Sequence, residues 1–247
     1  MSLLELFTSN GPSGFGYGST AEQVTEGLEL RGKTILVTGC NSGLGLEAIR
    51  VLAKRGARVV GTARTLEKAN GACGSVGGDT VPIACELSAP SSVLACVEAI
   101  KARAIMLDAI IANAGIMALP KLETCHGYEK QFFTNHIGHF ILVTGLLDRL
   151  TETGRVVMLS SSAHKGAPRG AIEWDNLDGS RRYGAFRNYG QSKIANILFA
   201  TELSRRFSGT KKTANSVHPG VIHTNLARSM TPARDGLVAT NTSVAAP

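Results

Sequence analysis

The stretch "TILVTGCNSGLGLEAIRVLAKRG", residues 34–56, contains a strand pattern, a glycine-rich loop and a helix pattern in immediate succession. "TILVTG" (34–39) is apolar and β-branched and ends in glycine, which predicts a buried strand. "LGLEAIRVLAKRG" (44–56) has helical periodicity and closes on Gly56, a suitable C-cap. A strand that leads directly into a helix is the unit from which parallel sheets are built.

The loop "TGCNSGLG" (38–45) places Gly39, Gly43 and Gly45 in the spacing GxxxGxG. This differs from the common GxGxxG fingerprint of dinucleotide-binding loops. Glycine permits a tight turn and lets a pyrophosphate approach the N-terminus of the following helix, which favours anions. On its own such a loop indicates only a tight turn. Between a strand and a helix, it predicts a dinucleotide site.

The rest of the chain repeats this alternation of apolar strand patterns and helix patterns. Because the strands are continuously apolar, we expect a parallel sheet buried on both faces, with right-handed crossovers. The predicted fold class is α/β: a single-domain, Rossmann-like, doubly wound parallel sheet with six clear strands. The further strands are predicted at 57–64, 80–87, 107–115, 154–162 and 213–220, and the further helices at 91–103, at 126–150 and from Tyr189 onward.

The predicted organisation is an N-terminal arm with a short helix (1–30) followed by one catalytic domain (31–247). The arm is rich in Gly and Ser over its first 20 residues. The short helix is expected in "STAEQVTEGL" (19–28), with Ser19 or Thr20 as its N-cap.

The composition is that of a globular chain, with 43% hydrophobic and 18% charged residues among 247. The net charge of +7 is scattered, and its tightest groups are only the pairs at 181–182, 205–206 and 211–212. No basic run is interleaved with aromatic residues, so we expect no nucleic-acid partner. The excess positive charge either lies on a solvated face or attracts a phosphate-bearing cofactor.

Cysteine and hydropathy patterns predict a cytoplasmic protein. The five cysteines are odd in number and form no CxxC pair, which indicates reduced thiols. The chain start does not resemble a secretory signal, and no apolar run is long enough for a transmembrane segment. The histidines form no metal pattern, so no metal is expected. His136 and His139 are assigned to packing or hydrogen bonding instead.

The second predicted strand ends in Arg64, about where an NAD-selective site carries an acidic residue for the ribose hydroxyls. An arginine there pairs with a 2′-phosphate, which an acidic residue would repel. Arg64 therefore favours NADP(H). The alternative is an ordinary surface arginine.

Tyr189 and Lys193, in "YGQSK" (189–193), lie four positions apart and share one face of the predicted helix. A free phenol is a poor base at neutral pH, but a nearby ammonium lowers its pKa. Tyr189 is then suited to exchange a proton with an alcohol or carbonyl oxygen. The alternative is a polar helix start. A serine at the end of "VVMLSSS" (156–162) is placed to bond the same oxygen.

In combination, these motifs resemble the short-chain dehydrogenase/reductase family over about residues 30–226. Within the family, the chain is most similar to the retinol-dehydrogenase-like branch, which includes the WW-domain oxidoreductase. The motifs that carry the resemblance are "TGCNSGLG", "NAG" (113–115), "NHIGHF" (135–140), "VVMLSSS", "YGQSK" and "HPGVIHT" (218–224).

The resemblance implies a catalytic set of Asn135, Ser161, Tyr189 and Lys193. Tyr189 is the implied acid/base, Lys193 lowers its pKa and holds the nicotinamide ribose, and Asn135 completes a proton relay. Ser161 orients the substrate oxygen, although the motif alone also admits its neighbours 160 and 162. The implied cofactor residues are Gly39, Asn41, Ser42, Gly43, Leu44, Gly45, Arg64, Glu86, Leu87, Asn113, Ala114, Gly115, Tyr189, Lys193, Pro219, Gly220, Val221 and Thr224.

Three features depart from the family pattern. Glu86 replaces the usual aspartate near the adenine. An insert at about 163–188 carries Trp174, Tyr183 and Phe186, which are expected either to line a lid over an apolar substrate or to belong to a surface loop. Only 23 residues follow Thr224, so the usual seventh strand is in doubt and an open sheet edge is expected.

The sequence therefore predicts NADP(H)-dependent interconversion of a carbonyl and an alcohol on a small apolar substrate. The alternative is a cofactor-binding regulatory or scaffold protein with little turnover, which the short C-terminus favours. A homodimer or homotetramer is expected from the resemblance.

Overall fold

The computed structural model describes residues 13–16, 18–220, 222 and 226. Its strands are β1 (Thr34–Thr38), β2 (Arg58–Ala63), β3 (Thr80–Ala84), β4 (Leu107–Ala112), β5 (Thr124–Cys125), β6 (Tyr128–Glu129), β7 (Leu150–Leu159) and β8 (Thr213–Val217). Six of them form a central, all-parallel sheet in the order β3-β2-β1-β4-β7-β8, and β5 and β6 make a separate antiparallel hairpin. This confirms the predicted doubly wound sheet.

Helical segments connect the strands. Thr20 caps the first one with a capping box in which Gln23 bonds back to the Thr20 backbone. The α-helices are α1 (Ala21–Val24), α2 (Gly43–Lys54), α3 (Leu66–Val76), α4 (Pro90–Ala102), α5 (Lys130–Phe132), α6 (Gly138–Gly145) and α7 (Ala185–Arg206). A π-helical turn (Phe133–Ile137) joins α5 to α6, and 3₁₀ turns cover Leu147–Arg149 and Ser162–Gly166.

Apolar side chains bury both faces of the sheet. Successive residues of a strand point to opposite faces. In β1, Leu36 therefore packs into the core beneath α4, α6 and α7, whereas Ile35 and Val37 pack into the core beneath α2 and α3. This is why the strands are continuously apolar in sequence instead of alternating.

Two predicted helices begin at other residues in the structure, and one helix was not predicted. The helix expected over 126–150 begins only at Lys130, because the β5–β6 hairpin precedes it with His126 and Gly127 both at positive φ. The helix expected from Tyr189 begins four residues earlier, at Ala185. Helix α3 was not predicted, since glycine and small residues weaken its pattern.

The predicted strand at 154–162 instead spans Leu150–Leu159, which places Ser161 just beyond the carboxyl end of β7. The position expected for a seventh strand falls outside the described residues. In the described part of the chain, β8 pairs only with β7.

Candidate active site

The glycine loop is tightly closed between β1 and α2. Gly39 has φ +69°, and a Cβ there would lie 3.0 Å from the Ala114 Cα. A Cβ on Gly45 would lie 2.1 Å from the Gly39 carbonyl oxygen and 2.6 Å from the Asn113 amide nitrogen. These positions admit no side chain, so the backbone itself forms the surface that a ligand would meet.

The N-terminus of α2 is open to an anion. Its N-cap, Ser42, makes no side-chain capping hydrogen bond, and no acidic residue occupies the first turn. The first-turn N–H groups at Gly43, Leu44 and Gly45 are therefore not covered by a capping side chain. Asn41 precedes this cap in the loop. The loop and helix end thus fit a pyrophosphate group.

The segment Asn113–Gly115 joins this loop to the catalytic end of the sheet. The Asn113 amide donates to the Thr38 carbonyl (2.8 Å), and the Ala114 N–H donates to the Thr38 hydroxyl (2.9 Å). A Cβ on Gly115 would lie 3.1 Å from the Asn135 side-chain oxygen and 3.6 Å from Lys193 Nζ. The predicted cofactor and catalytic residues therefore meet at one edge of the sheet.

The predicted adenine-side residues lie at the ends of β2 and β3. Arg64 is exposed immediately after β2. The Glu86 carboxylate accepts from the backbone N–H (3.1 Å) and hydroxyl (2.8 Å) of Ser88, so it is already held by its own turn. Leu87 is buried. That Arg64 and Glu86 contact a cofactor stays a prediction.

Tyr189 and Lys193 lie one turn apart on α7, and both are buried. Lys193 Nζ is 5.5 Å from the centroid of the Tyr189 ring and donates to the Leu159 carbonyl at 3.1 Å. The Ser161 hydroxyl accepts from the Ala163 N–H at 3.2 Å and lies close enough to Tyr189 to lower the pKa of its phenol. One phenol, one ammonium and one hydroxyl thus meet beyond the carboxyl end of β7.

The three consecutive serines have different surroundings. The Ser160 hydroxyl is buried and donates to the Lys193 carbonyl at 2.9 Å, while Ser162 is exposed. Of the three, only Ser161 has a side chain that lowers the pKa of Tyr189. The geometry therefore favours Ser161 over its two neighbours.

Burial controls the proton affinities of the pair. It raises the pKa of Tyr189, and the hydrogen bond from Ser161 offsets only part of that rise. Burial also lowers the pKa of Lys193 to about 8. The expected lowering of the Tyr189 pKa by Lys193 is not seen: burial is the main cause of the shift, and Ser161 is the side chain that opposes it.

Asn135 lies in the π-helical turn and is fully buried. Its side chain accepts from the Ile116 N–H (2.8 Å) and donates to the Ile116 carbonyl (2.9 Å) and the Ser192 hydroxyl (3.0 Å). Its carbonyl accepts from His139 Nδ1 (2.9 Å) and the Asn196 amide (3.2 Å). Such π turns are frequent at functional sites.

Comparison with known proteins agrees with this geometry. A family model described as short chain dehydrogenase matches residues 33–173, more than half of the chain. The chain belongs to the short-chain dehydrogenase family. It is 41% identical over 232 residues to "Short-chain dehydrogenase TIC 32 B, chloroplastic" of Brassica napus, covering 88% of this chain and 72% of that protein. It is 40% identical to retinol dehydrogenase 12 of Mus musculus, covering 83% and 66%.

A solved structure has the same fold. The chain matches a crystal structure of an uncharacterised protein from Mycobacterium paratuberculosis with a TM-score of 0.72 and 38% identity, covering 82% of this chain and 73% of that one. As a short-chain dehydrogenase, the chain is an oxidoreductase of the family that uses NAD(P)(H).

Within this family framework, the insert is anchored by polar contacts. Arg187 on α7 makes two close ion-pair contacts with Glu173, whose N–H donates to Gln191 at 3.0 Å. The Tyr183 hydroxyl donates to the Leu119 carbonyl at 2.6 Å. Of the predicted substrate residues, Tyr183 is half-buried, and this hydrogen bond fixes its side chain. Trp174 and Phe186 are 77% and 55% exposed.

The predicted nicotinamide-side residues are only partly described. Pro219 is half-buried and Gly220 is exposed with φ +88°. Val221 and Thr224 lie outside the described residues.

Residues not predicted from the sequence complete the site. Asn196 bonds the carbonyls of both Asn135 and Leu159 (3.2 and 3.0 Å). The Thr38 hydroxyl, which accepts from Ala114, donates to Nε2 of His139 at 2.9 Å. Asn196 lies seven positions after Tyr189, hence on the same helix face, and that spacing was the available signal.

Neither a metal site nor a membrane span is found in the part of the chain that the structure describes. Across residues 13–16, 18–220, 222 and 226, no three His, Cys, Asp or Glu side chains gather as metal ligands. Over the same residues, no helix combines the length and apolarity needed to cross a bilayer. The cytoplasmic location stays a prediction.

Proposed function

We propose that this short-chain dehydrogenase interconverts a carbonyl and an alcohol with NADP(H), using Tyr189 as the acid/base. The observation that carries the proposal is the meeting of Tyr189, Ser161 and Lys193, with Asn135 beside them, next to a glycine loop open to a pyrophosphate. In reduction, the substrate oxygen receives a proton from the Tyr189 hydroxyl while the carbonyl carbon receives a hydride.

The cofactor, when bound, supplies or accepts that hydride. The chain's own residues do the rest. Ser161 holds the substrate oxygen against Tyr189. Lys193, an ammonium below its pKa of about 8 and 5.5 Å from the centroid of the Tyr189 ring, would hold the nicotinamide ribose beside the phenol. Asn135, fixed by Ile116 and Ser192, keeps the π turn in place beside Lys193.

The preference for NADP(H) rests on Arg64. Arg64 is exposed and immediately follows β2, the strand that lies beside β1 in the sheet. The glycine loop follows β1 at the same end of the sheet. An arginine at this edge attracts a 2′-phosphate. The preference for an apolar substrate rests on the exposed Trp174 and Phe186 of the insert.

The test is titration with NADPH and NADH, followed by cofactor fluorescence. Arg64→Ala should weaken NADPH binding roughly ten- to a hundredfold, as expected for a lost charge-assisted hydrogen bond, and leave NADH binding nearly unchanged. The matched control is Arg58→Ala, an exposed arginine at the opposite end of β2, which should change neither. Equal binding of the two cofactors by the wild type would refute the NADP(H) preference.

Turnover is tested separately, by NADPH oxidation with a panel of apolar aldehydes and ketones. Tyr189→Phe should abolish turnover while preserving cofactor binding. Cofactor binding without turnover on any carbonyl would favour the alternative, a cofactor-binding regulatory protein.

A further inference from the structure

Two buried thiols meet directly behind the glycine loop. A Cβ on Gly61 of β2 would lie 2.8 Å from the Cys73 sulfur and 3.2 Å from the Cys40 sulfur, so both sulfurs lie over this one glycine. Cys40 belongs to the loop between β1 and α2, and Cys73 belongs to α3. Both are almost completely buried. The absence of a side chain at Gly61 is what leaves room for the pair.

Polar groups surround Cys73, and the Thr80 hydroxyl donates to its backbone carbonyl at 3.4 Å. The adjacent Cys40 thiol, with smaller effects from Thr80 and the Gly61 backbone, lowers the pKa of the Cys73 thiol to about 7 despite burial. A thiolate is the reactive form of cysteine, and donors of this kind favour it. Cys40 remains the protonated partner, because Cys73 and burial both raise its pKa.

A second thiol pair provides an internal comparison. Cys85, just after β3, faces Cys96 on α4, and both lie in the apolar core with Leu36 and Val60. Cys96 and burial raise the pKa of Cys85. Because its pKa is raised, the Cys85 thiol stays protonated, so this pair is expected to stay reduced.

We propose that Cys40 and Cys73 form a peroxide-sensitive dithiol site whose disulfide weakens dinucleotide binding. The cofactor part of this inference rests on the proposed function. The Cys73 thiolate attacks one oxygen of hydrogen peroxide, the O–O bond breaks, and the departing hydroxide takes the Cys40 proton to give water and a sulfenic acid on Cys73. The Cys40 thiolate then attacks the Cys73 sulfur, and hydroxide leaves as the S–S bond forms.

Over the two steps, two thiols are oxidised to one disulfide and one peroxide is reduced to two waters. The second water forms when the hydroxide that leaves Cys73 takes up the proton that Cys73 released as it became a thiolate. Burial restricts the oxidant to a small neutral molecule such as peroxide, because a protein disulfide cannot reach either sulfur.

The disulfide would act on the cofactor through the loop backbone. Cys40 is bonded to Gly39, and its N–H donates to the Thr62 carbonyl at 3.0 Å. A covalent bond draws the two sulfurs closer than separate thiols can approach. The backbone at Cys40 must then move toward α3, which shifts the adjoining turn at Gly39. By linkage, bound cofactor should in turn oppose disulfide formation.

The experiment treats the full chain with hydrogen peroxide, with and without NADPH, and maps disulfides by peptide mass spectrometry under thiol-blocking conditions. We expect a Cys40–Cys73 linkage two hydrogens lighter than the free peptides, formed more slowly with NADPH present. NADPH binding should weaken by roughly tenfold or more and return after dithiothreitol. Cys73→Ser should bind NADPH equally before and after peroxide, whereas Cys96→Ser should respond as the wild type does.

Cys73→Ala serves as a second variant if the serine disturbs the core. The proposal is overturned if peroxide leaves Cys40 and Cys73 unlinked, or if the linkage forms and NADPH affinity is unchanged. If the untreated, reduced protein binds neither NADPH nor NADH, the proposed function fails, and the regulatory consequence fails with it. The mass measurement still decides whether the disulfide forms.

Discussion

The side chain of Lys193 is buried. Burial alone lowers the pKa of its ammonium group from 10.5 to about 8. Between those values the unfolded chain holds the proton that the native state has released. The free energy of unfolding should therefore rise with pH across this window, by up to about 3 kcal/mol. Urea unfolding of the wild type and Lys193→Met at about pH 7.5, 9 and 10.5 measures it. A stability difference between the two that does not change with pH would show that the pKa is not lowered.

Gly45 and Gly71 are both helical glycines, but only one is packed against backbone. A Cβ on Gly45 would overlap the Gly39 carbonyl at 2.1 Å, whereas nothing lies within 4 Å of a Cβ on Gly71. Gly45→Ala should destabilise the fold by about 1–3 kcal/mol and abolish tight cofactor binding. The matched change Gly71→Ala should stabilise the protein by about 0.5–1 kcal/mol without affecting cofactor binding. Thermal unfolding and cofactor titration of both variants decide this, and equal effects of the two alanines would contradict it.

At the level of elements, buried His139 ties β1 to the π turn. It accepts from the Thr38 hydroxyl and donates to the Asn135 carbonyl, both at 2.9 Å. Its full burial lowers its pKa to about 4, so it is neutral near pH 7. His139→Phe leaves the Thr38 hydroxyl without this acceptor and should cost about 1–3 kcal/mol in unfolding free energy. The control is His126→Phe, at an exposed position where the ring is tilted against Phe133 with 5.2 Å between the ring centroids. A loss no greater than the control's would remove His139 from this connection.

The elements also show how far the sequence was informative. Strands with unbroken apolar runs were predictable, because burial on both faces requires them. Helix α3 was not, because its stability comes from packing of small residues such as Ala69 and Cys73, which carry little periodic signal. Ser161 could be distinguished from Ser160 and Ser162 only in the structure, because three adjacent serines differ only in what they contact. The contacts of Asn196 likewise depend on where the π turn places the Asn135 carbonyl.

For the whole molecule, the net charge of +7 is distributed in a way that disfavours a polyanion. Three of the four arginines in two of the basic pairs are ion-paired locally. Glu202 bonds both Arg205 (2.8 Å) and Arg206 (2.7 Å), and Arg181 pairs closely with Asp175. Nonspecific DNA binding needs several cations that can release counterions along one face. Duplex DNA should therefore bind with a Kd weaker than about 10⁻⁴ M at physiological salt.

Fluorescence anisotropy with a labelled duplex tests this, at low and at physiological salt. Glu202→Gln releases two adjacent arginines and should strengthen binding measurably at low salt only, because exposed charges are screened as salt rises. Glu152→Gln makes the same change in net charge at an exposed position on β7 and should have a smaller effect. If the wild type bound tightly with a steep salt dependence, the surface charge would have to act as one basic face. The catalytic interpretation would then no longer account for the charge of the whole chain.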